Sequence, residues 1–98
     1  MDLEEIIFEI ITYSGEAKSY AYEGLEYVKE KNMEKFNECI KKSEESLLKA
    51  HKAHTKILFE SSNYEDFKIS LLLIHAEDQF MSAMDAKDLI KAMVEMLN

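Results

Sequence analysis

The sequence predicts an all-α protein, an antiparallel up-down-up bundle of three long helices, and three observations carry this. Proline is absent and only two glycines occur, so the punctuation that strands and tight turns need is nearly missing. Ala, Leu, Ile, Met, Glu and Lys are plentiful, and all favour helix. Apolar residues recur at alternating spacings of three and four over three long stretches joined by short polar links. Ninety-eight residues form one domain, 1–98, with a modest core.

The first helix starts at Asp2, with Glu5 three residues on in a capping-box-like arrangement that puts acids at the positive end of the dipole. Leu3, Ile7, Ile10, Ser14, Ala17, Ala21, Leu25 and Val28 form its seam. Ile6, Tyr13, Tyr20 and Tyr27, seven apart, give it a second apolar border; the tyrosines read as packing rather than as a ligand platform. Gly15 and Gly24 interrupt the helix at about 1 kcal/mol each relative to Ala, which predicts close approach of another backbone.

Lys29-Glu30-Lys31-Asn32 is the first turn, and Asn32 caps the second helix. Its seam is Met33, Phe36, Ile40, Ser43, Leu47, Ala50, His54 and Ile57. Ser61-Ser62-Asn63 marks its end, and Tyr64 to Asp66 lead into the third helix, which runs to about Leu97. One stripe of that helix is Ile69, Leu73, Ala76, Phe80, Ala83, Ile90, Val94 and Leu97. A second is Leu71, Ile74, Asp78, Met81 and Asp85. At 1.5 Å per residue each helix is on the order of 40–50 Å long. The third helix has more apolar surface than two neighbours cover, which predicts self-association in a symmetric oligomer.

Composition excludes several functions. A charge of −8 argues against nucleic acid, whose phosphates would be repelled. All twelve basic residues are Lys, and neither an Arg fork nor a Gly-rich loop is present to grip a nucleotide. The single Cys39 rules out an internal disulfide and fits a reducing cytosol; it reads as a small buried side chain. No apolar run approaches the roughly 18 residues of a spanning helix, and the acidic start is unlike a signal peptide. These features predict a soluble cytoplasmic protein with no membrane insertion.

The stretch from Ser70 to Met84 is the most apolar of the chain, yet it carries His75, Glu77 and Asp78. Helical spacing puts His75 and Asp78 three apart on one face, with Leu71 and Ser82 along the strip. Asp78 also falls in an apolar row between Ile74 and Met81. An unpaired carboxylate there is costly, and copies of Asp78 meeting at a symmetry axis would need protonation or a cation. A neutral imidazole is a good nucleophile near neutral pH and forms covalent intermediates, so His75 is the sharpest catalytic candidate, although a single His on a helix is more often a packed or surface residue. Glu77 points elsewhere on the helix. His51 and His54, spaced i, i+3, are a weaker metal pair without a nearby third ligand, and no Glu-x-x-His motif occurs. They read as a boundary residue and a polar core member. No Ser/His/Asp triad is present.

Leu71-Leu72-Leu73-Ile74-His75-Ala76-Glu77-Asp78-Gln79-Phe80-Met81 resembles the signature of the lactose/cellobiose-type IIA enzymes of the bacterial sugar phosphotransferase system, an apolar run followed by His-Ala-Gln-Asp-(His or Gln)-Leu-Met. Glu9-Ile10-Ile11-Thr12-Tyr13-Ser14-Gly15-Glu16-Ala17-Lys18-Ser19 is similar to the family's Gly-Asp-Ala-Arg-Ser segment, and Glu44 to Leu58 to its Glu-Ala-His-x-x-Gln-Thr helix. The resemblance runs in order along nearly the whole chain. It implies a three-helix protomer in a homotrimeric nine-helix bundle. His75 matches the phosphorylated histidine, which accepts a phosphoryl group from HPr and gives it to a cysteine of a IIB component during uptake of cellobiose, lactose or chitobiose. Asp78 matches the aspartate that holds Mg2+ on the three-fold axis. Three departures stand out: Glu77 where Gln is common, Gln79 for a frequent His, and His54 for a frequent Gln. If His54 faces His75 across the helices, it bonds or competes with it. Two other readings remain: a non-catalytic adaptor whose apolar surplus binds a partner helix, and a metal-binding regulator using His51, His54 and Asp78.

Overall fold

The computed structural model describes residues 2–60 and 67–97, with the side chains of 59, 60, 67 and 68 outside the description. The expected second link, Ser61-Ser62-Asn63 and Tyr64 to Asp66, lies outside the described residues. Three helices follow in order: α1 (Leu3–Lys29), α2 (Met33–Glu60) and α3 (Phe67–Leu97). They stand side by side in a body of 50 × 19 × 16 Å. Among the described residues no helix is long and apolar enough to cross a membrane.

Helix ends fall where side chains replace missing backbone partners. Asp2 stands at the N-cap of α1, and its Oδ1 accepts from the Glu4 N–H at 3.3 Å. At the other end the Asn32 N–H donates to the Tyr27 carbonyl at 2.8 Å and the Lys31 N–H to that of Val28 at 2.9 Å. This pair of bonds is a Schellman cap, and it places Lys31 in the left-handed region at φ 58°. Asn32 then turns from closing α1 to opening α2: its Oδ1 accepts from the Lys35 N–H at 3.1 Å. One residue thus serves two helices, which keeps the link short and sets α1 and α2 antiparallel.

The core has three layers. At one end Ile6, Ile7 and Ile10 of α1 pack with Ala53 and Ile57 of α2 and with Leu73 and Ala76 of α3. The waist is built from small residues, Ala17 and Ala83 around Leu47. At the far end Ala21, Phe36, Ile40, Ile90 and Val94 close the bundle. The predicted seams therefore face inward, except that Leu97 is 76% exposed because it lies beyond the last core residue, Val94. Ser43 fits the waist by donating its hydroxyl to the Ala17 carbonyl at 2.7 Å.

The tyrosine border of α1 has a partner row. Lys35, Lys42 and Lys49, seven apart on α2, hold their ammonium groups 5.4, 5.7 and 5.5 Å from the ring centres of Tyr27, Tyr20 and Tyr13. Equal spacing on antiparallel helices makes this a ladder, each rung contributing about 0.5–1 kcal/mol at an exposed site. The glycines differ from expectation. A Cβ at Gly24 would lie 3.1 Å from Phe36 Cδ1 and 3.3 Å from Cys39 Cβ, so the close approach there is to side chains of α2 rather than to backbone. At Gly15 a Cβ would meet nothing within 4 Å among the described residues, and packing inside the chain gives no reason for it. Cys39 is buried; burial is the main cause that raises its thiol pKa, so it is no reactive thiol.

Among the described residues α1 packs along both other helices, whereas α2 and α3 touch each other little. Polar bridges span that thin seam. Lys87 and Lys91 each reach Glu44 Oε2 at 3.4 Å. Burial works against the charge on Lys87, but its bonds to Asp88 and Glu44 outweigh burial and raise its pKa.

Among the described residues one buried side-chain group is unpaired. The Ser14 hydroxyl is sealed in the α1 seam with no hydrogen-bond partner, a state that costs about 1–3 kcal/mol. Ser14→Ala removes the orphan and improves helix propensity, so it is expected to raise stability by about 1 kcal/mol in urea unfolding. A loss of stability would mean that the hydroxyl is bonded after all.

Candidate functional site

The site follows from how α3 is used. Its inward stripe, Leu73, Ala76, Ala83, Ile90 and Val94, is spent on the core. The row of Leu71, Ile74, Asp78, Met81 and Asp85 is left facing outward; Leu71 is 52% exposed, Ile74 58% and Met81 57%. Asp78 stands exposed in the middle of this apolar row. Asp85 lies further along the same row, and among the described residues no three His, Cys, Asp or Glu side chains are grouped to hold a metal.

His75 lies on the edge of that outward face, where α3 meets the start of α1. It is exposed and shares a groove with Glu4, Phe8, Leu71 and Leu72. Among the described residues no side chain is hydrogen-bonded to it. One heptad further along the same face, Lys18 Nζ donates to Ser82 Oγ at 2.9 Å, tying α1 to α3 beside the strip.

The other two histidines are engaged. His54 does not face His75. Its Nε2 lies 2.7 Å from Glu77 Oε2, a bond that spans α2 and α3. A carboxylate only accepts, so Nε2 carries the proton in this bond. Glu77 therefore turns toward α2, as its spacing from His75 predicts. The two departures, His54 and Glu77, complete one another. His51 lies over Phe80, with ring centroids 6.4 Å apart and planes at 29°. His51, His54 and Asp78 are not brought together within the chain, so its described residues give the metal-regulator reading no support. Glu4 and Phe8, the α1 neighbours of His75, are the residues that sequence reasoning missed. Phe8 did leave a signal: it is a large apolar residue outside both rows of α1.

Chemically, the arrangement offers an imidazole that is reachable by a large partner, with open space in front and a groove beside it. Among the described residues there is no oxyanion cradle and no enclosed pocket at His75. Such a surface suits group transfer between proteins better than turnover of a small substrate held in a cavity.

Comparison with known proteins agrees with this chemistry. The sequence profile of the family described as PTS system, lactose/cellobiose specific IIA subunit, matches residues 5–98. The chain is 34% identical to the lactose-specific EIIA component of Staphylococcus epidermidis, over 91% of this chain and 86% of that protein. It is 37% identical to the oligo-beta-mannoside-specific EIIA component of Bacillus subtilis, over 95% of this chain and 84% of that one. With the N,N'-diacetylchitobiose-specific EIIA component of Escherichia coli K12 the identity is 33%, over 97% and 82%. No solved structure gives a significant match. With a profile match over almost its full length, the chain belongs to the lactose/cellobiose-specific IIA subunits of the sugar phosphotransferase system and is a phosphotransferase component of that system.

Proposed function

We propose that this IIA subunit carries its phosphoryl group on His75. A nitrogen of the neutral imidazole attacks the phosphorus of the phosphohistidine on HPr; the new N–P bond forms at His75 as the donor's N–P bond breaks and frees its imidazole. In the second half a cysteine thiolate of the IIB component attacks, an S–P bond forms, and His75 is released for another cycle. The observation that supports this reading is the division of labour among the three histidines. His54 is bonded to Glu77 and His51 stacks on Phe80, which leaves His75 exposed on a face two partners can reach in turn. Stabilisation of the transferred group then falls largely to helix N-termini and donors of the partner, in keeping with a chain that has no Arg. The service is uptake of a disaccharide such as lactose, cellobiose or chitobiose, with the sugar selected by the membrane component and the subunit working in the cytoplasm.

The outward row of α3 supports a homotrimer in which Leu71, Ile74 and Met81 pack around a three-fold axis. Three Asp78 carboxylates would meet there. Hard oxygen donors of this kind fit Mg2+, which would neutralise their mutual repulsion. The ion would serve assembly, and no step of the transfer runs through it.

Incubation with phosphoenolpyruvate, enzyme I and HPr is expected to add one phosphoryl group by intact mass, acid-labile and absent from His75→Ala. No gain from active donors onto a folded chain turns the reading to the non-catalytic adaptor. In sedimentation the chain is expected to run as a trimer that retains about one Mg2+. Asp78→Leu is expected to lose the ion and stay trimeric, because an apolar side chain suits that row. A native chain that sediments as a monomer contradicts the assembly, and a variant that dissociates would show the carboxylate to be required.

A further inference from the structure

The outward row of α3 carries a second acid. Asp85 lies one heptad beyond Asp78 and is exposed like it. A straight helix drifts only about 20° over a heptad, so both carboxylates keep to one face. The row does not end there. Met81 precedes Asp85, and Leu89 at 62% exposure and Met96 at 85% continue the face toward the end of the helix. Asp85 thus stands inside an apolar row rather than at its margin.

No cation of the chain is committed to it. Asp85 is in no ion pair among the described residues. From α1, Lys18 comes to this side of α3 but gives its ammonium to the Ser82 hydroxyl. From α2, Glu44 receives Lys87 and Lys91, and Lys87 also bonds Asp88. Along α3 the acids on either side are Asp78 and Asp88, of the same sign as Asp85.

We propose that in the three-fold assembly the copies of Asp85 form a second carboxylate ring on the axis, neutralised by protons, so that the trimer takes up protons as it forms and loosens as pH rises. The inference rests on the homotrimer and goes beyond it in giving Asp85 a role. Around the axis Met81 and Leu89 close off water on both sides of the ring, and carboxylates held that close cannot all stay ionised. An ion at Asp78 does not serve both rings: at 1.5 Å per residue they are about 10 Å apart, whereas Mg2+ binds oxygen at about 2 Å. A proton meets the need locally. A carboxylic acid donates to its neighbour's carboxylate across the axis, which turns repulsion into a hydrogen bond. The sign follows from where the proton goes. In the single chain Asp85 faces water, so the protons bound on assembly return to solvent on dissociation; acid favours the trimer and alkali the separate chains.

The test is sedimentation equilibrium of the full chain in Mg2+ at about pH 5 and about pH 8. The native trimer is expected to dissociate roughly tenfold more readily at the higher pH. Asp85→Asn, which keeps the shape and removes the charge, is expected to abolish most of that difference. Asp85→Leu is expected to be tighter than the native chain at the higher pH, because an apolar side chain suits the row. Equal association of the native chain at both pH values overturns the proposal. An Asp85→Asn chain that keeps the native pH response overturns it too, since another group then carries the effect. So does a second Mg2+ retained by the native trimer and lost from Asp85→Asn, because a cation rather than a proton then holds the ring. If the native chain sediments as a monomer at both pH values, the trimer fails first and the ring goes with it.

Discussion

The structure depends on the two-sided burial of α1. Ile6, Ile7 and Ile10 are wholly removed from water, and so are Ala17 and Ala21 further along. Burying three isoleucines is worth several kcal/mol, about 1.5–3 for each side chain. They can all be buried only if α2 covers one flank and α3 the other. That requirement makes α1 the spine. It also leaves α2 and α3 with little to share, so their seam is thin and is crossed by polar bridges, His54 to Glu77 and Glu44 to Lys87 and Lys91. Exposed or half-exposed pairs of this type contribute little to stability. Their value is in orientation, because they fix which way Glu77 and its neighbours face.

The placement of the candidate site follows from this arrangement. A helix pinned along one stripe must present the opposite stripe outward, and on α3 that stripe is apolar except for Asp78 and Asp85. His75 sits where the outward face meets α1, close enough to the spine to be positioned and far enough out to be reached. His54 shows how the chain absorbs an unusual residue. In a row that is otherwise core, the imidazole finds a carboxylate on the next helix and stays half-buried at low cost. It is thereby kept away from His75.

Much of this was legible in the residues. The seams of all three helices, the turn at Lys29–Asn32 and the apolar surplus of α3 come from spacing alone, because burial on a helix obeys a fixed period. Asp78 declared itself as an acid in an apolar row. What spacing does not carry is contact across helices. The His54–Glu77 bond joins residues 23 apart, and the Lys18–Ser82 bond residues 64 apart, so neither has a local pattern. The left-handed Lys31 was equally hidden, since Gly is the residue that announces such a cap. Gly15 stays without an account in the packing of one chain.

The most direct test of the central claim is the nitrogen NMR spectrum of the three imidazoles before and after phosphoryl transfer. The account predicts that His75 alone acquires the signature of a phosphorylated ring, while His54 keeps a protonated Nε2 bonded to Glu77 and His51 is unchanged. A phosphoryl group on His51 or His54 would contradict it.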